Sequence, residues 1–217
     1  MLRKWLFFSF ALLSLNLANG EPLPQFEDGS GYYSYIDPVK VELPKDGKIL
    51  IQYFYTYGCD SCLTADDTLK AYAERNAHKV VLQRTPASSL QAGGLTTKLS
   101  ATFAEYGKPE LDALFLFDSV GQKEKNSLVK NNQALIQWLK QQNINVDQFH
   151  QLFNSTAVQN RVDEIIKINQ LYRPKYSPMA VLNGKYILVK NTLYNDDYTN
   201  AVLDFLVRKI KTEQANQ

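Results

Sequence analysis

Cys59-Asp60-Ser61-Cys62 holds the only two cysteines of a 217-residue chain, and it separates two segments of different hydrophobic period. Upstream, Ile49-Leu50-Ile51-Gln52-Tyr53-Phe54-Tyr55 is an apolar run rich in β-formers. Downstream, Cys62, Ala65, Leu69, Tyr72 and Ala73 recur at helical spacing. The first cysteine therefore falls where a strand ends and a helix begins. A thiol at a helix N-terminus meets the positive end of the helix dipole and unpaired backbone N–H groups. Both favour the thiolate, which is the nucleophile of disulfide exchange. Cys62, one turn later, is placed to close the ring.

A C-x-x-C pair alone is compatible with half a zinc site, a structural clip or a redox centre. Zinc would need two more ligands, and tetrahedral sites prefer Cys or His. No third cysteine exists, and His78 and His150 stand alone in the sequence. No metal and no cofactor is expected. A passive clip is weakly supported, because so small a loop removes little unfolded-state entropy. Clip and redox pair both remain open on these residues.

Residues 1–20 read as an export signal. Arg3 and Lys4 precede an apolar stretch from Trp5 to Leu17, and Ala18-Asn19-Gly20 forms a small-residue cleavage site before Glu21. The stretch is shorter than the ~20 apolar residues of a membrane span. Cleavage would leave 217 − 20 = 197 residues. Export places the dithiol in an oxidising compartment, where disulfides persist. The formal charge of +2 falls to about zero without Arg3 and Lys4. With no basic run either, a nucleic-acid partner is not expected.

Along the rest of the chain, Tyr33, Tyr35, Val39 and Val41 suggest an edge strand, with Pro38 arguing against a central position. A buried strand is expected over 49–55, the thiol-bearing helix over 60–75, and a short strand over 79–83 ended by Thr85-Pro86. Helical spacing then dominates, with segments near 95–106, 109–118, 132–141, 147–153 and 155–170. Asn183-Gly184 between two apolar runs marks a β-hairpin over 179–189. Tyr198, Ala201, Val202, Phe205, Leu206 and Ile210 mark a C-terminal amphipathic helix. This order gives an α/β chain. With the helical block removed, a thioredoxin-like fold remains. The block is too long for a loop, so an inserted helical subdomain is expected. The expected division is a signal peptide over 1–20, a thioredoxin-like domain over 21–86 and 174–217, and the inserted subdomain over 87–173.

At this point the chain resembles the DsbA family of periplasmic thiol:disulfide oxidoreductases. Gln25-Phe26-Glu27-Asp28-Gly29 is similar to the segment that opens many mature members. Tyr53-Phe54-Tyr55-Thr56-Tyr57-Gly58 leads into Cys59–Cys62 where the family has an aromatic-rich strand and a C-P-H-C site. Ser177-Pro178-Met179-Ala180-Val181-Leu182-Asn183-Gly184-Lys185-Tyr186 resembles the family's cis-proline loop and hairpin. Three positions depart from the pattern. Asp60-Ser61 stands in place of Pro-His, Tyr53 in place of a buried acid, and Ser177 is the residue before the proline.

The resemblance implies roles. Cys59 would be the nucleophile and Cys62 the resolving thiol. Pro178 would be the cis-proline, with Ser177 contacting substrate through its backbone, while Asp60 and Ser61 tune the redox potential; Tyr57 reads as a core strand residue, with substrate binding as its second reading. The implied partners are exported cysteine-containing proteins and a DsbB-like membrane redox protein, and the implied location is the periplasm. Arg84 reads as a surface cation at a strand end in preference to a group facing the space under the dithiol. Two rivals share the fold: a periplasmic disulfide reductase or isomerase, and a non-catalytic thioredoxin-like binding or chaperone module.

Overall fold

Every residue of β3, Ile49–Tyr55, is buried, because this strand lies inside a sheet covered on both faces. The computed structural model describes residues 26–88 and 94–216. The expected signal peptide lies outside the described residues. A helix, α1 (Asp60–Arg75), crosses from β3 to the parallel strand β4 (Val80–Pro86), with register from Ile49↔Val80 to Tyr55↔Pro86. On the other side of β3 lies the antiparallel strand β5 (Met179–Leu182), followed by β6 (Tyr186–Val189). The short strands β1 (Glu27–Asp28) and β2 (Gly31–Ser34) complete a six-stranded sheet in the order β1-β2-β6-β5-β3-β4.

Alternation along β3 serves the two faces. Ile49, Ile51, Tyr53 and Tyr55 join the main core with Cys62, Ala65, Leu69 and Tyr72 of α1. The C-terminal helix α7 (Asp196–Ala215) adds Val202, Leu203, Leu206 and Ile210 to the same core. Asn195 caps α7 by accepting from Tyr198 N, and Asp196 and Asp197 sit at the positive end of its dipole. On the opposite face, Phe54 packs with Met179, Val181 and Tyr172.

The β5–β6 hairpin turns on Asn183 (φ 47°) and Gly184 (φ 68°), the two left-handed residues of a primed two-residue turn. Asn183 also accepts Leu50 N–H at 2.8 Å, tying the turn to β3. A Cβ on Gly184 would lie 2.3 Å from Val39 O, so both conformation and space require glycine here.

Among the described residues five α-helices lie between β4 and β5. They are α2 (Leu95–Glu105), α3 (Leu111–Ser119), α4 (Asn132–Gln141), α5 (Val146–Phe153) and α6 (Thr156–Tyr172). Asn131, Asn145 and Ser155 cap α4, α5 and α6 with side-chain acceptors. The aromatic core runs unbroken from the sheet into this bundle. Tyr57 meets Phe115 edge-on at 4.6 Å, and Phe115 meets Trp138 at 4.9 Å.

Two strands differ from the sequence reading. The first strand expected at the edge is observed as Gly31–Ser34, earlier than the alternation of Tyr33, Tyr35, Val39 and Val41 implies, and the two-residue β1 lies outside it at the edge itself. Past Asp37-Pro38 the chain leaves the ladder, and only Val39 N–H returns to it, on Gly184 O at 2.8 Å. The strand expected over 79–83 continues to Pro86, because β4 is an edge strand and tolerates a residue without an N–H.

Candidate active site at the Cys59–Cys62 disulfide

The turn from β3 into α1 requires Gly58, whose φ of 72° is left-handed. Its N–H donates to Ser119 Oγ at 2.8 Å, which pins the turn to the end of α3. Cys59 follows as the N-cap of α1, and its sulfur accepts Cys62 N–H at 3.1 Å. Cys59 and Cys62 form a disulfide with Cα atoms 5.1 Å apart. The two sulfurs are not equivalent. Cys59 is partly exposed, whereas Cys62 is fully buried. Ser61 Oγ lies 3.6 Å from Cys59 Sγ, and Asp60 is exposed in the first turn of α1.

The Ser177–Pro178 peptide bond is cis, as the resemblance implies. Ser177 Oγ is 3.2 Å from Thr56 Oγ1, and Thr56 Oγ1 is 4.0 Å from Cys62 Sγ. The structure thus brings together the dithiol, Asp60, Ser61, Ser177 and Pro178.

Tyr57 is different. Of its two readings, core residue and substrate contact, the first holds: it is 6% exposed and its hydroxyl donates to Asp112 at 2.5 Å. Its ring fills the aromatic core against Phe115, so no face is left for a peptide. Tyr57 holds the turn before Cys59 from beneath.

Arg84 corrects an expectation. It is a half-buried group and not a surface cation, with 18% of its side chain exposed. Its Nε donates to Asp66 Oδ1 at 2.6 Å, and its Nη1 pairs with Asp112 Oδ2. The guanidinium lies 4.6 Å from the centre of the Tyr55 ring. Asp112 also accepts the Tyr55 hydroxyl at 2.6 Å. Burial, then the Asp112 charge, pushes the Tyr55 and Tyr57 hydroxyls well above their ordinary pKa, so both stay donors. Burial disfavours the Arg84 cation, but Asp112, Tyr55 and Asp66 outweigh it and hold its pKa up. Burial raises the Asp66 carboxyl despite the opposing pull of Arg84.

Asp66 sits one turn after Cys62 on α1 and is buried. Tyr53, the residue standing where the family has a buried acid, is itself buried and donates its hydroxyl to Cys62 O at 2.6 Å. The sequence reading missed the Asp66–Arg84–Asp112 cluster. Asp66 at a helix-core position of α1 was the available signal.

No protein-family model matches the chain. It is 33% identical over 216 residues to an uncharacterized protein of Haemophilus influenzae, covering 95% of this chain and 91% of that one. It is 27% identical over 209 residues to the thiol:disulfide interchange protein DsbA of Burkholderia cepacia, covering 95% and 97% respectively. The crystal structure of Pseudomonas aeruginosa DsbA superposes with a TM-score of 0.70 at 22% identity, covering 88% of this chain and 97% of that one, which shows the fold. A thioredoxin-like sheet with a disulfide at the head of its first helix, and similarity to DsbA proteins over nearly the whole length, lead to one conclusion. The chain belongs to the DsbA family of thiol:disulfide oxidoreductases.

Proposed function

We propose that this oxidoreductase works as a net oxidase, introducing disulfides into exported proteins in the periplasm. The observation that carries this reading is the asymmetry of the disulfide. Cys59 is partly exposed, caps α1 and accepts Cys62 N–H at 3.1 Å, while Cys62 is buried. A substrate thiolate reaches Cys59 more readily than Cys62. Its attack forms a substrate–Cys59 disulfide and releases Cys62 as a thiolate. A second substrate thiolate then attacks the substrate sulfur of that mixed disulfide. The substrate gains a disulfide and loses two electrons, and the enzyme is left with a Cys59 thiolate and a Cys62 thiol. A thiolate stabilised at a helix N-terminus favours the reduced enzyme, and this makes the disulfide oxidising.

Ser177 and Pro178, beside Thr56, are the site where an extended substrate segment pairs with the loop that leads into β5. A membrane protein of the DsbB kind accepts the two electrons and restores the disulfide. Residues 87–173 serve as an inserted subdomain whose Asp112 and Ser119 anchor the active-site turn from one side. The apolar leader at 1–20 directs export. Among the described residues no helix is long and apolar enough to cross a membrane.

The rival reading, a reductase or isomerase, draws on Asp60, whose negative charge beside Cys59 opposes the thiolate. Mixing the oxidised protein with an equimolar reduced, unfolded substrate protein separates the two. The oxidase reading expects substrate disulfides and reduced enzyme to appear together. Reduction of a disulfide-bonded substrate by the dithiol form, with no reaction in the forward direction, overturns it. A binding module would show neither exchange.

The poise of the pair is tunable. Stabilisation of a thiolate at a helix N-terminus reaches ~2 kcal/mol in favourable geometry. An exposed anion nearby opposes it by about 1 kcal/mol or less, because water screens it. Each ~1.4 kcal/mol corresponds to ~30 mV in a two-electron couple. Replacing Asp60 by Pro and Ser61 by His together is therefore expected to lower the Cys59 pKa and raise the reduction potential by some tens of millivolts. Thiolate absorbance and equilibration with glutathione measure both. An unchanged or lower potential shows that these two residues do not set the poise.

A further inference from the structure

Cys62 has no contact with water, yet it must change its protonation state in every cycle. It leaves as a thiolate when Cys59 is attacked, becomes a thiol in the reduced enzyme, and must lose that proton again on reoxidation. Its own N–H is given to Cys59 Sγ at 3.1 Å, and its carbonyl receives the Tyr53 hydroxyl at 2.6 Å. Among the described residues one side-chain hydroxyl stands against its sulfur, Thr56 Oγ1 at 4.0 Å. That hydroxyl is 3.2 Å from Ser177 Oγ, and both Thr56 and Ser177 are partly exposed. Cys62 Sγ, Thr56 Oγ1 and Ser177 Oγ thus form a chain of neighbouring atoms carried by residues that reach solvent.

We infer that Thr56 and Ser177 form a two-hydroxyl relay that stabilises the Cys62 thiolate as it leaves and carries its proton to and from solvent. A disulfide sulfur is a weak acceptor, and the hydroxyl stands off at 4.0 Å. A full negative charge on that sulfur draws the Thr56 O–H onto it, since hydrogen bonds to charged groups are the strong ones. The proton balance closes through the pair. Thr56 gives its proton to the sulfur, Ser177 replaces it, and water replaces that of Ser177. On reoxidation the three transfers run backwards. Two small alcohols suit this task because each can donate and accept.

The titratable and charged groups packed around Cys62 do not supply this route. On α1, Cys59 is the redox partner and Asp66 is held by Arg84 at 2.6 Å. On β3, Tyr53 is committed to the Cys62 carbonyl, and burial raises its pKa far above the working range. On β4 and α3, Arg84 and Asp112 are paired with each other. The Ser177–Ala180 segment carries no ionisable side chain. The Ser177 that contacts substrate through its backbone would therefore use its side chain for the second step, so that substrate seating and proton exit share one residue.

The inference rests on the reading of Cys62 as the resolving thiol. The test begins with a Cys59→Ser background, in which Cys62 is the only thiol and its thiolate absorbance can be titrated. Thr56→Val removes the hydroxyl at nearly constant volume and is expected to raise the Cys62 pKa by about one unit. Thr56→Ser should restore it. Ser177→Ala should raise it by less, and adding Ser177→Ala to Thr56→Val should change nothing further, because the hydroxyls act in series. In the two-cysteine protein, Thr56→Val should slow reduction by glutathione about tenfold while the thermal midpoint is retained. An unmoved Cys62 pKa in Thr56→Val, or no recovery in Thr56→Ser, overturns the relay. Failure of the unsubstituted protein to exchange with glutathione overturns the oxidoreductase mechanism instead. If Thr56→Val does not fold, Thr56→Ser and Ser177→Ala still decide: the relay requires an unchanged pKa in the first and a raised one in the second.

Discussion

Cys59→Ser is expected to abolish dithiol oxidation, with a loss of at least three orders of magnitude in rate and little change in stability beyond the lost disulfide. The variant has no Cys59–Cys62 disulfide for a substrate thiolate to attack, and the remaining Cys62 is too buried to form one with substrate in its place. Cys62→Ser should behave differently. Cys59 keeps its place as the N-cap of α1 and can still capture a substrate disulfide. Without a thiol at 62, however, it has no internal route of escape. Long-lived mixed disulfides should accumulate and be released by added dithiothreitol. Gel shifts under non-reducing conditions, with mass spectrometry of the adduct, distinguish the two variants. Alkylation of the reduced protein at mildly acidic pH should label Cys59 first. Preferential labelling of Cys62 would reverse the assignment of roles.

Arg84→Met should be the most damaging substitution away from the sulfurs. Arg84 bridges Asp66 of α1 and Asp112 of α3 from its place on β4, so one side chain links the active-site helix, the sheet and the helical block. Methionine fills similar space but leaves two carboxylates in the core without a cation. Removing one member of such a buried cluster costs about 3–5 kcal/mol, because the remaining charges are uncompensated. Denaturant unfolding should show that loss as a lower midpoint with an unchanged slope. The deficit should also depend on pH. Burial already raises the Asp66 carboxyl in the native protein, and loss of Arg84 raises it further. A carboxyl whose folded pKa lies above its unfolded value binds extra protons in the folded state, so stability falls as pH rises through that window. The variant should therefore recover part of its stability as pH is lowered from ~7 toward ~4. A cost below about 1 kcal/mol, independent of pH, would place Arg84 among weak surface pairs.

The elements around the site were legible where local pattern and local chemistry agree. The apolar run 49–55 and the helical spacing after Cys59 coincide with β3 and α1 to the residue. Asn183-Gly184 specifies its hairpin because both residues must have positive φ. The helices of the block, capped by Asn131, Asn145 and Ser155, fall within one or two residues of their expected limits where the caps are strong. What sequence could not supply is long-range partnership. Arg84 reads as a surface cation because its partners are 18 and 28 residues away. Tyr57 stays open between core and contact because Asp112, which holds it inward, is 55 residues on. Thr56 carries no signal at all, since its meaning comes from Ser177, 121 residues later. The alternation at 33–41 misled for a related reason. It has the period of a strand, but after Asp37-Pro38 only isolated contacts to the hairpin remain.

The dithiol's roles, the flow of electrons and the balance between Asp60 and the helix N-terminus all converge on a single quantity. That quantity is the reduction potential of the Cys59–Cys62 couple, measured by equilibrating the protein with defined ratios of reduced and oxidised glutathione. A net oxidase whose thiolate is favoured less than in a C-P-H-C site should lie between ~−180 and ~−120 mV, the values of protein disulfide isomerase and of DsbA itself. A potential at or below ~−270 mV, where thioredoxin lies, would contradict the oxidase and make this chain a reductase.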